Sequence, residues 1–197
     1  MSKIFTKNIS IVFPPWLEDF LRDRTTTLAT VEERMELVIE LARKNIQKKT
    51  GGPFAAAIYN NHSGELVSAG INMVTCTNFS IAHAEIIAIT QAQNFYNTFD
   101  LGSSEMPFLQ LVTSTAPCAM CLGAIPWSGV KGVVCGARDE DARDVGFDEG
   151  AKYDDWIEQL QRRGIEVEVD ICRKEASEVL REYSRSGGII YNSREDG

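Results

Sequence analysis

Residues 108–137 read FLQLVTSTAPCAMCLGAIPWSGVKGVVCGA, and the fold turns on how they are divided. FLQLVTS is an unbroken apolar run bounded by small polar residues, which predicts a buried strand. CAMCLGAIPWSG predicts a helix, cut short near Pro126, because proline lacks the N–H that a helix interior needs. KGVVCGA predicts another strand. The unit is therefore strand, helix, strand, with Cys118 and Cys121 at the helix entrance.

Working outward gives the remaining elements. Upstream, TVEERMELVIELARKNIQKK (30–49) opens with Thr30 and Glu33 in capping-box spacing and carries Val31, Met35, Val38, Ile39, Ala42 and Ile46 on one stripe. FAAAIYNNHSGELVSAGIN (54–72) reads as two strands around a turn, and AHAEIIAITQAQNFY (82–96) as a helix. Downstream come a helix in YDDWIEQLQRRG, a strand in IEVEVDI and a last helix in RKEASEVLREYSRSGG. The helix between the strands near 131–136 and 165–171 gives the chain enough length to cross over, so those strands can lie parallel. The expectation is an α/β fold with a mixed five-stranded sheet and helices on both faces. Residues 1–29 form an N-terminal arm, with a short helical pattern in WLEDFLRD, 30–184 the domain, and 185–197 a tail.

Composition narrows the function. The 197 residues carry a formal charge of -8, which opposes a nucleic-acid partner, and the densest basic run, RKNIQKK (43–49), reads as the last turn of a helix. No apolar run approaches membrane-spanning length, and the N-terminus lacks a signal-peptide core. Five cysteines, an odd number, argue against a disulfide framework and for a reduced, cytoplasmic protein.

Cys118 and Cys121 allow three readings: a redox pair, half of a closed structural zinc site, or part of an open one. The redox reading leaves HAE at 83–85 unexplained. A closed site needs a fourth ligand, for which Cys76, Cys135 and Cys172 are the nominees, none at chelating spacing. The open site takes His83, Cys118 and Cys121 as ligands of one Zn²⁺ per subunit and leaves the fourth position to water or hydroxide. Residues i and i+3 share a helical face, and a helix N-terminus favours thiolate. Zinc lowers the pKa of water to about 7, and Glu85, two residues from His83, is placed to move its proton as a general acid/base. His62, the other histidine, reads as an exposed turn residue.

HAE with PCAMC resembles the zinc-dependent nucleobase and nucleoside deaminase superfamily, whose signature is H-x-E…P-C-x-x-C. The element order from Thr30 is similar too, which implies a cytidine-deaminase-like three-layer αβα sandwich. Local features resemble bacterial guanine deaminases. That likeness implies that Phe54 packs on a purine, Asn72 hydrogen-bonds its edge, Trp127 and Phe147 line the pocket, and Glu149 is a second proton-shuttling acid. It also implies polar contacts from the Ala84 amide and the Ala116 carbonyl, and a tail closing over the pocket with Tyr191 near the base, in a homodimer that in some members exchanges this segment. Taken singly, Phe54 and Trp127 are ordinary core aromatics, Asn72 a turn former and Glu149 one of an acidic run. Ala116 departs from the family, where many members carry glutamate before PC. The expected reaction is guanine to xanthine plus ammonia. Ammeline, cytosine and cytidine are alternative substrates, and tRNA adenosine is disfavoured by the charge.

Overall fold

The computed structural model describes residues 9–22 and 27–192. Its elements run α1 (Pro15–Arg22), α2 (Val31–Gln47), β1 (Ala55–Asn60), β2 (Leu66–Ile71), α3 (Val74–Thr77), α4 (Ala84–Tyr96) and β3 (Leu109–Thr115). They continue with α5 (Ala119–Ser128), β4 (Gly132–Ala137), α6 (Asp139–Arg143), α7 (Trp156–Gln161), β5 (Glu166–Glu168) and α8 (Arg173–Arg185). The sheet has five strands in the order β2-β1-β3-β4-β5. β1 pairs antiparallel with both β2 and β3, whereas β3, β4 and β5 run parallel.

Strand alternation divides the core into two layers. Ala55, Ala57, Tyr59, Val112 and Val134 face a cluster that includes α1, α2 and α8. Ala56, Ile58, Leu111, Val133 and Cys135 face another built with α4, α5 and α7. Side chains of period two thus give the sheet two apolar faces, each covered by helices. Leu17 and Phe20 of α1 sit in the first cluster, so this part of the arm packs on the domain. Arg34, 3% exposed, ties the chain leading into α2 to the sheet by donating to the Leu28 and Ala29 carbonyls and to Asn61 and Gln110.

Several elements differ from expectation. α5 passes through Pro126 and ends at Gly129, whose φ of 80° is the left-handed stop. A proline in the last turn forfeits one hydrogen bond, and the buried face of α5 (Cys121, Ile125, Ser128) keeps the helix in place. α3 and α6 are single turns too short to give a periodic signal. β5 keeps only three residues, and Asp170, two residues past its end, turns left-handed (φ 67°).

Two close approaches fix where the site forms. At Gly70 a Cβ would lie 2.2 Å from the Ala84 carbonyl oxygen and 2.7 Å from the Ala88 nitrogen, so only glycine lets the first turn of α4 rest on β2. At Gly51 a Cβ would lie 1.8 Å from the Asn72 carbonyl oxygen. Because β1 runs antiparallel to β2 and β3, its start, the end of β2 and the carboxyl end of β3 meet at one edge of the sheet. Carboxyl ends of parallel strands are where open α/β sheets place their ligands.

Candidate active site

Two helix entrances converge at that edge. His83 is the N-cap residue of α4 and Cys118 that of α5, with Cys121 in the first turn of α5. Neither residue makes a side-chain capping hydrogen bond. The Ala119 N–H is satisfied instead by the Glu149 carbonyl at 2.9 Å, which pins the 145–150 loop to α5. His83 Nδ1 lies 3.5 Å from Cys118 Sγ and 3.6 Å from Cys121 Sγ. Zinc bonded tetrahedrally at about 2.05 Å to nitrogen and about 2.3 Å to sulfur requires N···S edges of about 3.6 Å, so the donor set fits that ion. Among the described residues these three are the cluster of His, Cys, Asp and Glu side chains able to hold a metal.

The charges are strongly coupled. A hydrogen bond from the Cys121 thiol, helped by His83, holds Cys118 down to about 4 against the opposing effect of burial. Cys121 is pushed far up by its bond to Cys118 and by burial. A divalent cation bound between the two sulfurs would favour ionisation of both. Burial depresses His83, but the bond to Cys118 and the nearby Glu85, Cys118 and Glu149 charges outweigh it and raise its pKa. Burial, then the Cys118 charge, raises Glu85. Glu149 is pushed up to about 8 by burial, followed by the Cys118, Asp139 and Glu85 charges.

A cleft of about 800 Å³ opens on this cluster, lined among others by Phe54, His83, Glu85, Ala116, Cys118, Phe147, Glu149 and Tyr191. Phe147 meets Phe54 edge to face at 4.8 Å and Tyr191 at 5.4 Å. Asn72 is wholly buried behind this lining. Its Oδ1 accepts the Val74 N–H at 3.3 Å, and its Nδ2 has no partner among the described residues. The Tyr191 hydroxyl is likewise buried and unpaired there, as is the Thr115 hydroxyl. A Cβ on Gly52 would sit 3.0 Å from the Tyr191 oxygen and 3.2 Å from Asn72 Oδ1, which places these two polar groups around one glycine. Ala84 is buried behind the cleft on α4.

Trp127, expected at the pocket, stands apart from this cleft. It is 87% exposed and borders a separate groove with Tyr153 and Trp156. Nine residues beyond Cys118, at about 100° each, the helix has turned to its opposite face. The tail lies on its own chain: Tyr183 Oη donates to the Ile189 carbonyl at 2.9 Å, and Tyr191 stacks edge-on to His83 at 6.4 Å. Asn192 accepts the Asp148 N–H at 2.9 Å and donates to the Gly146 carbonyl at 2.7 Å, clipping the tail to the loop that bears Phe147 and Glu149. Residues 193–197 of the expected tail, and 1–8 and 23–26 of the expected arm, lie outside the described residues.

Lys152 has no motif to announce it. Its side chain is 4% exposed. Its Nζ donates to the Pro117 carbonyl at 2.9 Å and to Asp139 at 2.5 Å, over the Trp156 ring. It therefore holds the peptide just before Cys118.

A sheet that presents an imidazole and two thiols at paired helix entrances, with a buried carboxylate beside them, defines a metal-dependent hydrolase site. The model of the cytidine and deoxycytidylate deaminase zinc-binding region matches residues 28–137, and the chain belongs to that family. Guanine deaminase of Bacillus subtilis (strain 168) is 35% identical over 134 residues, 68% of this chain and 81% of the relative. The solved guanine deaminase from Nitrosomonas europaea is 42% identical, with 92% of this chain and 98% of that chain covered and a TM-score of 0.87. A solved complex with 2,6-diaminopurine is 45% identical, with coverage of 94% and 97% and a TM-score of 0.87. The chain therefore has the expected fold and is a zinc-dependent deaminase.

Proposed function

We propose that the protein hydrolyses guanine to xanthine and ammonia. The observation that carries this reading is the His83–Cys118–Cys121 triangle opening, together with Glu85 and Glu149, on one cleft walled by Phe54 and Phe147. Relatives at 35–45% identity include guanine deaminases and a complex with a diaminopurine, which supports a purine base as substrate.

His83, Cys118 and Cys121 hold the zinc, which supplies the Lewis acidity that makes water a nucleophile at neutral pH. Glu85 takes the proton of the attacking water and returns it to the ring nitrogen beside the amino-bearing carbon. That carbon gains a C–O bond. Glu149, whose pKa burial raises, delivers a proton to the amino nitrogen. The C–N bond then breaks and ammonia leaves, while the proton of the new hydroxyl passes to Glu149 as the C=O bond of xanthine forms, restoring both carboxyl groups. The unpaired Asn72 Nδ2 donates to a purine acceptor, and the unpaired Tyr191 hydroxyl meets the base from the tail. Phe54 and Phe147 offer aromatic faces to the ring. The Ala116 carbonyl and Ala84 amide complete the polar frame.

The subunits form homodimers through the exposed face of α5, where Met120 (38% exposed) and Trp127 stand seven residues apart on one stripe. The enzyme works in the cytoplasm, in purine catabolism. The described cysteines are all free, as a thiolate site requires, and no described helix is long and apolar enough to cross a membrane.

The test is ammonia release from guanine, ammeline, cytosine and cytidine by zinc-loaded protein, with and without chelator. Guanine turnover that chelation abolishes is expected. Turnover of cytidine with none on guanine would overturn the assignment.

A further inference from the structure

Asn45 is a polar residue on the core-facing side of α2, with no exposed surface. Burial of an amide is unfavourable unless each of its groups is paired. Here all are. Asn45 Nδ2 donates to the Gly52 carbonyl and to the Asn72 carbonyl, both at 2.9 Å. Asn45 Oδ1 accepts from the Thr50 hydroxyl at 2.7 Å. The Thr50 oxygen in turn accepts the Trp16 indole N–H at 3.1 Å. The chain of donors runs one way, from the indole through the hydroxyl to the amide and on to the two carbonyls. The amide cannot flip, because its oxygen would then face two carbonyl oxygens.

The two carbonyls lie just behind the cleft lining, next to Phe54 and Tyr191. Gly52 leads into Phe54 at the start of β1, and Asn72 closes β2, its own N–H donating to the Phe54 carbonyl at 2.9 Å. Asn45 therefore bridges the entry to β1 and the end of β2, on either side of Phe54. Gly51 fills the remaining gap, since a Cβ there would lie 2.8 Å from Asn45 Nδ2. Asn72 is held by its main chain while its side-chain Nδ2 stays unpaired. Trp16 lies in α1, ahead of the stretch that the family model matches.

We infer that Asn45 is a positioning residue for base recognition, and that α1 acts on the pocket through Trp16 and Thr50. The relay fixes the aim of Asn72 without touching substrate, zinc or either catalytic carboxylate. This rests on the reading of Asn72 as a base contact. Loosening the relay weakens binding of ground state and transition state alike, which raises KM and leaves kcat nearly unchanged.

Thr50→Val removes the hydroxyl at similar volume, Thr50→Ser keeps it, and Trp16→Phe keeps the packing without the indole N–H. The expected result is a guanine KM raised about 3–10-fold in Thr50→Val and about 2–5-fold in Trp16→Phe, with kcat within about twofold and zinc content unchanged. Thr50→Ser should restore the wild-type KM. A wild-type protein that does not turn over guanine overturns the functional reading and the relay with it. Wild-type turnover with the same KM in Thr50→Val and Thr50→Ser overturns the relay alone, as does an equal fall in kcat and zinc content.

Discussion

Gly70→Ala tests the link between fold and chemistry without altering any reacting group. The added methyl would lie 2.2 Å from the Ala84 carbonyl oxygen and 3.1 Å from the Ile87 Cβ. The obstruction is backbone, so no side chain can rotate away. Restoring van der Waals contact requires α4 to lift from β2 by about 1 Å. That shift falls on the turn carrying His83 and Glu85, whose place is set by the same packing. A displacement of about 1 Å in a catalytic group is enough for a loss on the order of 100-fold in rate, while overpacking of this kind destabilises by about 1–3 kcal/mol. The assay is kcat/KM for ammonia release, with chemical denaturation and metal analysis on the same preparation. The expected variant is folded, weaker by the stated margin, and at least tenfold slower. Wild-type kcat/KM in a folded, zinc-loaded Gly70→Ala protein would refute the claim that the β2–α4 approach sets the catalytic geometry.

Further outcomes follow from particular groups. Glu85→Gln should retain zinc and fold while losing at least ~100-fold in kcat, and Glu149→Gln should be slowed with its zinc in place, both read by ammonia release and metal analysis. Lys152→Met leaves Asp139 and the Pro117 carbonyl without a cation, so urea unfolding should show a loss of about 3 kcal/mol, the scale for breaking a largely buried pair. A hydrogen bond from Arg138, against a smaller effect of burial, holds Asp170 below its ordinary value of 3.8. A depressed carboxyl contributes stability above the unfolded pKa and loses it as pH falls through the folded one. Thermal unfolding of Asp170→Asn should therefore show lower stability than wild type at neutral pH and a shallower decline below about pH 4.

Much of this molecule is legible in its sequence because the decisive signals are local. The capping box at Thr30 and Glu33, the two-strand pattern of 54–72 and the apolar run after Phe108 each name an element within a dozen residues. His83, Cys118 and Cys121 are legible for a chemical reason, since metal ligands of those types are few and their spacing is constrained. Signals that depend on who packs against whom are harder to read. Trp127 is an aromatic by type, and only helix phase shows that it faces outward on this chain. Lys152 and Asn192 act on main-chain carbonyls and N–H groups far away in sequence, and such partners leave no pattern of residue types. Asn45 did leave a trace: a lone amide three residues after Ala42 on an otherwise apolar stripe, where polarity demands a buried partner.

X-ray absorption at the zinc edge of the native protein counts the sulfur ligands around the metal. The expected spectrum shows one zinc per chain, with two sulfur scatterers at about 2.3 Å and a nitrogen or oxygen shell near 2.0–2.1 Å. A third or fourth sulfur, drawn from Cys76, Cys135 or Cys172, or protein purified without any bound transition metal, would contradict an open hydrolytic site.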